Sequence, residues 1–152
     1  MLTVGIDSYI TVAAADNLIT ACHHDTLSDK WLGLTEHDKE IHLRNATYRI
    51  DCLNFKGYRH SHTQQLEFPR GMSTDIPLKV QLAVAEEALA AIDTQLLQRC
   101  TLQQQGVTSV TLGSASESYS DSAVAGKQNC PLLSQIAYNY LRQYIAATAV
   151  IV

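Results

Sequence analysis

Residues 76–92, Ile76-Pro77-Leu78-Lys79-Val80-Gln81-Leu82-Ala83-Val84-Ala85-Glu86-Glu87-Ala88-Leu89-Ala90-Ala91-Ile92, carry the clearest periodic pattern in the chain. Pro77 suits a first helical turn, where its missing N–H has no intrahelical partner to lose. Leu78, Leu82, Ala85, Leu89, Ile92 and Leu96 then recur at helical spacing, widened by Val80, Val84, Ala88 and Ala91. The pattern predicts a central helix over about 77–97, with small residues that let neighbours approach closely. Lys79, Glu86, Glu87 and Asp93 fall on the remaining face and are expected in solvent.

Working toward the N-terminus, Thr35 is an expected cap for a helix over about 36–53, with Glu36, Asp38 and Glu40 near its positive pole. Its apolar residues form two stripes. Leu43, Ala46, Ile50 and Leu53 make one, and Ile41, Tyr48 and Cys52 make another on nearly the opposite side. A helix apolar on two faces is buried twice, by a second subunit or as the centre of a monomeric bundle. Thr11 caps a further helix over about 12–23, with Val12, Ala15, Leu18, Ile19 and Cys22 on one stripe. Asp25 to Leu34 reads as a loop anchored by Trp31, and Leu2 to Ile6 as a short strand or extended arm.

Beyond the central helix, Gln103 to Asn129 turns polar and small. Val107 to Leu112 and Ala115 to Tyr119 can pair as a hairpin with no core of its own. Pro131 opens a last helix over about 131–145, on which Leu133, Ile136, Ala137, Tyr140 and Tyr144 share a face. The tail 146–152 is apolar and β-branched, suited to packing or to strand addition on a neighbour. The fold class is therefore mainly α: one domain over 1–152, a bundle of about four helices with a small β-hairpin or extended arm and an extended tail.

The chain has 152 residues, 46% of them hydrophobic and 17% charged, a composition that suits one soluble globular core rather than a membrane span. The N-terminus lacks a basic region followed by an apolar run, so synthesis in the cytosol is expected. Cys22, Cys52, Cys100 and Cys130 form no CxxC. They are expected as reduced thiols, with Cys22 and Cys52 acting as small hydrophobes.

No catalytic pattern emerges. There is no GxSxG, no phosphate-cradling glycine loop, and no histidine spacing suited to a helical zinc pair. His23-His24, His37 with His42, and His60 with His62 all lack a completing ligand, so no metal or cofactor is expected. Between Arg44 and Arg70, by contrast, five cations (Arg44, Arg49, Lys56, Arg59 and Arg70) face two acids, Asp51 and Glu67. The loop there carries Lys56, Tyr58, Arg59, His60, His62, Phe68 and Arg70, a mixture that suits single-stranded nucleic acid or a protein interface. Phe68 and Pro69 could instead staple the loop to the bundle. The net charge of -4 argues against a protein whose whole surface grips phosphates.

The order of Ser8-Tyr9-Ile10, Leu43-Arg44-x-Ala46-Thr47-x-x-Ile50-Asp51, Lys56-Gly57-x-Arg59, Gln65-Leu66-x-Phe68-Pro69-Arg70 and Ile76-Pro77-x-x-Val80 resembles a phage protein family. Its members are head-tail connector adaptors often labelled DnaT-like single-stranded-DNA-binding proteins. The likeness runs from about Val4 to Leu97. Looser likeness continues in the strand-like stretch and last helix; relatives tend to have tryptophan where Phe68 stands, and the polar 103–129 region is unusual enough that its contacts do not carry over. The resemblance implies a noncatalytic, homo-oligomeric adaptor ring, a dodecamer, in the virion neck. There it would lie beneath the portal protein, dock a tail or stopper protein, and extend a channel through which genomic double-stranded DNA passes without specific binding. On that reading Ile41, Tyr48 and Cys52 form a subunit interface. Lys56, Tyr58, Arg59, Phe68 and Arg70 form a docking loop, and Val107, Val110, Leu112, Tyr119, Val150, Ile151 and Val152 meet the portal or a neighbour. The alternative is a single-stranded-DNA binder using Lys56, Tyr58, Arg59 and Arg70.

Overall fold

The computed structural model describes residues 1–104, 109–112, 115–118 and 132–146. Its elements are α1 (Val12–Cys22), α2 (Thr26–Leu32), α3 (Glu36–Asp51), α4 (Leu78–Ala90), α5 (Thr94–Gln104), β1 (Ser109–Leu112), β2 (Ala115–Ser118) and α6 (Gln135–Leu141). The protein is a mainly helical bundle. Its central member is α4, which packs against α1, α2, α3 and α6. Among the described residues, no helix is long and apolar enough to cross a membrane.

Local chemistry explains the helix ends. Thr11 Oγ1 accepts from the Ala14 amide at 3.2 Å and Thr35 Oγ1 from the Asp38 amide at 3.2 Å, each satisfying an N–H that a helix start leaves unpaired. The expected loop at 25–34 contains a helix instead. Asp25 caps α2 reciprocally with Ser28: its carboxylate accepts from the Leu27 and Ser28 amides, and its own amide donates to Ser28 Oγ. Trp31 anchors that helix, fully buried. Its Nε1 donates to Asp16 Oδ1 at 2.7 Å, and Lys39 binds the other oxygen of Asp16 at 3.0 Å. A seven-residue helix is too short for its periodicity to stand out, which is why the sequence reads as a loop.

The helix expected over 77–97 is two helices. α4 ends at Ala90, and Asp93 restarts the chain as α5 by accepting from the Gln95 and Leu96 amides. The apolar stripe crosses the break because Ile92 still packs on the core. Leu78, expected in that stripe, is exposed at the first turn. The last helix is likewise shorter than expected, beginning after Ser134, whose Oγ accepts from the Ala137 amide. Ile136 faces outward rather than joining the buried face of Ala137 and Leu141.

Residues 1–8 form a turn rather than a strand. Gly5 adopts φ 84°, and the Ile6 and Asp7 amides both donate to the Thr3 carbonyl. The hairpin forms, with Ser109 opposite Ser118, Val110 opposite Glu117 and Leu112 opposite Ala115. Val107, Tyr119, Val150, Ile151 and Val152 lie outside the described residues.

The expected solvation of Glu86 and Glu87 is reversed. Glu87 is fully buried, and its carboxylate accepts from the Leu133 amide at 3.0 Å and the Ser134 amide at 2.9 Å, with Arg49 at 3.4 Å. Glu86 is buried beside His23, at 2.8 Å. Helical periodicity puts these acids on a polar face. It cannot show that α6 will bring unpaired amides to that face, and such amides need an acceptor. Cys22 in α1 and Cys52 at the C-cap of α3, expected as small hydrophobes among apolar neighbours, are exposed free thiols.

Candidate functional site

The loop between α3 and α4 folds as a narrow ribbon. Arg59 and Arg70 face each other in an antiparallel bridge, the Gly71 amide donates to the Tyr58 carbonyl at 2.9 Å, and the His60 amide to the Pro69 carbonyl at 3.1 Å. Gly57 and Gly71 supply the left-handed turns at its root, with φ 76° and 64°. His60 Nδ1 lies 3.1 Å from the Gly71 carbonyl.

Beneath the ribbon is an aromatic seat. The Phe68 ring is buried among Tyr9, Phe55 and Tyr144, at centroid distances of 5.8, 4.8 and 5.4 Å, all edge-on. Such arrangements add to plain area burial. The Tyr9 hydroxyl donates to Asp51 and accepts the Phe68 amide at 3.1 Å, while Asp51 accepts the Glu67 amide at 3.3 Å. Burial, reinforced by the neighbouring Asp51 charge, drives the Tyr9 hydroxyl far above its ordinary value. Burial likewise raises the Asp51 carboxyl against the lowering effect of the Tyr9 hydrogen bond. Tyr9 thus stays protonated and serves as a fixed bridge from the first segment of the chain to the ribbon.

Arg70 is equally committed to the scaffold. Its guanidinium donates to the carbonyls of Phe55, Lys56 and Gly57, pairs with Glu67, and lies 5.7 Å over the Phe55 ring. Phe68 and Arg70, both read as docking residues, are therefore structural: one is enclosed and the other has its donors occupied by the ribbon's own backbone. The stapling role considered for Phe68 is the one its burial supports.

What the ribbon presents outward is narrower. Tyr58 is 68% exposed, and Lys56, Arg59, His60 and His62 are also exposed. Arg59 Nε lies 3.1 Å from Glu67 Oε1, so Glu67 holds both arginines of the ribbon. On α3, Ile41 and Tyr48, with Cys52 at its C-cap, are all exposed, whereas Leu43, Ala46 and Ile50 are buried. Val110 and Leu112 lie in β1, paired with Glu117 and Ala115. Among the described residues no three His, Cys, Asp or Glu side chains converge as a metal site.

Sequence reasoning missed Tyr9 and Asp51 as the ribbon's support. Both stand in the segments that carry the resemblance, Ser8-Tyr9-Ile10 and Ile50-Asp51, which is the signal that could have flagged them. It also missed that Lys79 meets Lys56 of the ribbon's root at Gln143, which only the return of α6 along α4 reveals.

A family model described as "Putative DnaT-like ssDNA binding protein" matches residues 2–151. The chain belongs to that family. Comparison with curated proteins and with solved structures returned no match.

Membership in that family corrects the connector reading. Its description is of single-stranded-DNA binding and includes no portal, stopper, ring or virion role. The phage adaptor function does not stand, nor do its portal, tail and ring partners or the passive passage of double-stranded DNA. The physical reason lies in the residues that suggested it. Tyr9, Ile50, Asp51, Phe68 and Arg70 hold the scaffold together, and scaffold residues report a fold rather than a partner.

Proposed function

We propose that the protein is a noncatalytic single-stranded-DNA-binding protein and that the outward side of the ribbon is its contact surface. The exposed mixture of Lys56, Tyr58, Arg59, His60 and His62 on a braced ribbon carries this reading. Cations neutralise the phosphate backbone, and an exposed aromatic ring offers any base a stacking face without reading its edges. The family description supports the same ligand class. The overall charge of -4 is compatible with this, since binding needs a local concentration of cations rather than a basic protein.

Bracing matters because a preorganised surface loses less entropy on binding. Phe68, Arg70 and the Tyr9–Asp51 bridge fix the backbone from which Tyr58 and Arg59 project. The test is fluorescence anisotropy with labelled oligo(dT) and with a duplex of equal length. Tight, salt-sensitive binding of the single strand is expected. Tyr58→Ala should weaken it about fivefold to a hundredfold, the effect of about 1–3 kcal/mol per stacked base. Parent-like affinity in Tyr58→Ala together with Arg59→Ala would refute the ribbon as the contact surface.

A further inference from the structure

α6 runs antiparallel to α4, with Ser134 at Glu87 and Gln143 at Lys79. Its C-terminal end therefore returns to the root of the ribbon. There the Lys56 ammonium lies 3.3 Å from the Gln143 carbonyl oxygen, and the Lys79 ammonium 3.2 Å from Gln143 Oε1. Two cations from different elements thus converge on one residue. Arg142, its chain neighbour at the end of α6, is exposed. The pairing of Lys56 N–H with the Tyr144 carbonyl and of Ala146 N–H with the Asn54 carbonyl ties this end to the ribbon's first residues.

Among the described residues none of Lys56, Lys79 and Arg142 has a carboxylate at ion-pair distance, whereas Lys39, Arg49, Arg59 and Arg70 each have one. The nearest acid in the chain to Lys79, Asp75, is exposed and makes no ion pair. Among the described residues the two lysines are held by neutral amide oxygens. A phosphate oxygen carries the negative charge that an amide oxygen lacks, so it competes with these partners for both ammonium groups. Lysine acts as a point charge on a flexible stem, which suits a backbone contact blind to sequence.

We infer that Lys56, Lys79 and Arg142 form a second, phosphate-binding section of the single-strand surface. It continues from the stacking section at Tyr58 and Arg59 across the end of α6. This extension rests on the single-strand reading above. It divides the surface by chemistry: the ribbon contributes stacking, and the α4–α6 end contributes charge. Lys56, at the ribbon's root, belongs to both.

The experiment is the salt dependence of oligo(dT) binding by the full chain, compared with Lys79→Gln/Arg142→Gln and with Tyr58→Ala. All three positions are exposed, and thermal melting checks that each variant keeps the parent's fold. Each single-strand phosphate contact contributes a slope of about -0.7 in log K against log salt. The double variant should therefore flatten the plot by about 1.4, while Tyr58→Ala lowers affinity with the slope unchanged. A double variant with the parent's slope and affinity, beside a weakened Tyr58→Ala, overturns the extension and leaves the ribbon as the whole surface. A parent that leaves oligo(dT) free overturns the single-strand reading and the extension with it.

Discussion

Glu67 on the ribbon and Glu87 at the α4–α6 junction both meet arginine, in opposite surroundings. The Glu67 side chain is 24% exposed and lies between Arg59 and Arg70, whereas that of Glu87 is 0% exposed and anchors two backbone amides with Arg49 at its edge. Water reaches the first arrangement through Arg59, 45% exposed against 13% for Arg70, so the Arg59 pairing trims the charge of a surface while adding little stability. The second fixes where a helix begins. An acid beside an arginine therefore tunes a ligand surface in one region and positions secondary structure in the other. What separates them is whether buried N–H groups depend on the carboxylate.

The largest effect is expected where the ribbon joins the core. Phe68→Ala should cost about 3–5 kcal/mol in chemical denaturation, because the ring fills the space among Tyr9, Phe55 and Tyr144. A loss under about 1 kcal/mol would mean that the ribbon stands without its aromatic seat.

Glu87→Ala follows, leaving the Leu133 and Ser134 amides without their acceptor at about 1–3 kcal/mol for each orphaned donor. Glu87→Gln keeps an acceptor oxygen and isolates the charge. Burial raises the Glu87 carboxyl above its ordinary 4.5 despite the two amides and Arg49. The folded chain thus holds this proton more tightly than the unfolded chain. The group's contribution is fully present below about pH 4.5 and is lost as pH rises through the folded value. Relative to the parent, Glu87→Gln should therefore gain stability with rising pH across that window. A constant difference between the two, in urea denaturation at a series of pH values, would show that Glu87 titrates alike in both states.

The smallest stability effect, within about 1 kcal/mol, is expected for Glu67→Gln. The same change frees Arg59 and should tighten oligo(dT) binding, with the gain fading as salt is raised. Weaker binding would show that Glu67 positions Arg59 rather than competing for it. These substitutions sharpen the contrast between a carboxylate that adjusts a surface and one that builds a junction.

Much of the bundle is legible in the sequence because helix starts are written locally. Thr11, Thr35 and Pro77 mark α1, α3 and α4 with side chains or ring constraints that act within one turn. α2 and the Ala91–Asp93 break are harder to see, since a seven-residue helix and a mid-stripe cap barely disturb the apolar period. The roles of Glu87 and Arg70 are not legible at all, and for Phe68 the sequence offers the staple only beside a docking role. Each is set by partners distant in the chain, among them Leu133 and Ser134 for Glu87 and Tyr9 and Tyr144 for Phe68. The outward set of Lys56, Tyr58 and Arg59 is readable from composition alone, yet its continuation to Lys79 and Arg142 depends on the path of α6.

The packing of Phe68 against both Tyr9 and Tyr144 also sets a schedule. While the chain is being synthesised, α1, α3 and α4 can pair as soon as they emerge, since their contacts close comparatively short loops. The ribbon cannot settle until Tyr144 has left the ribosome and closed the last side of its seat. Its finished shape is therefore reserved for chains that have been made past Tyr144, and a product stopped before it carries the residues of the contact surface without their arrangement.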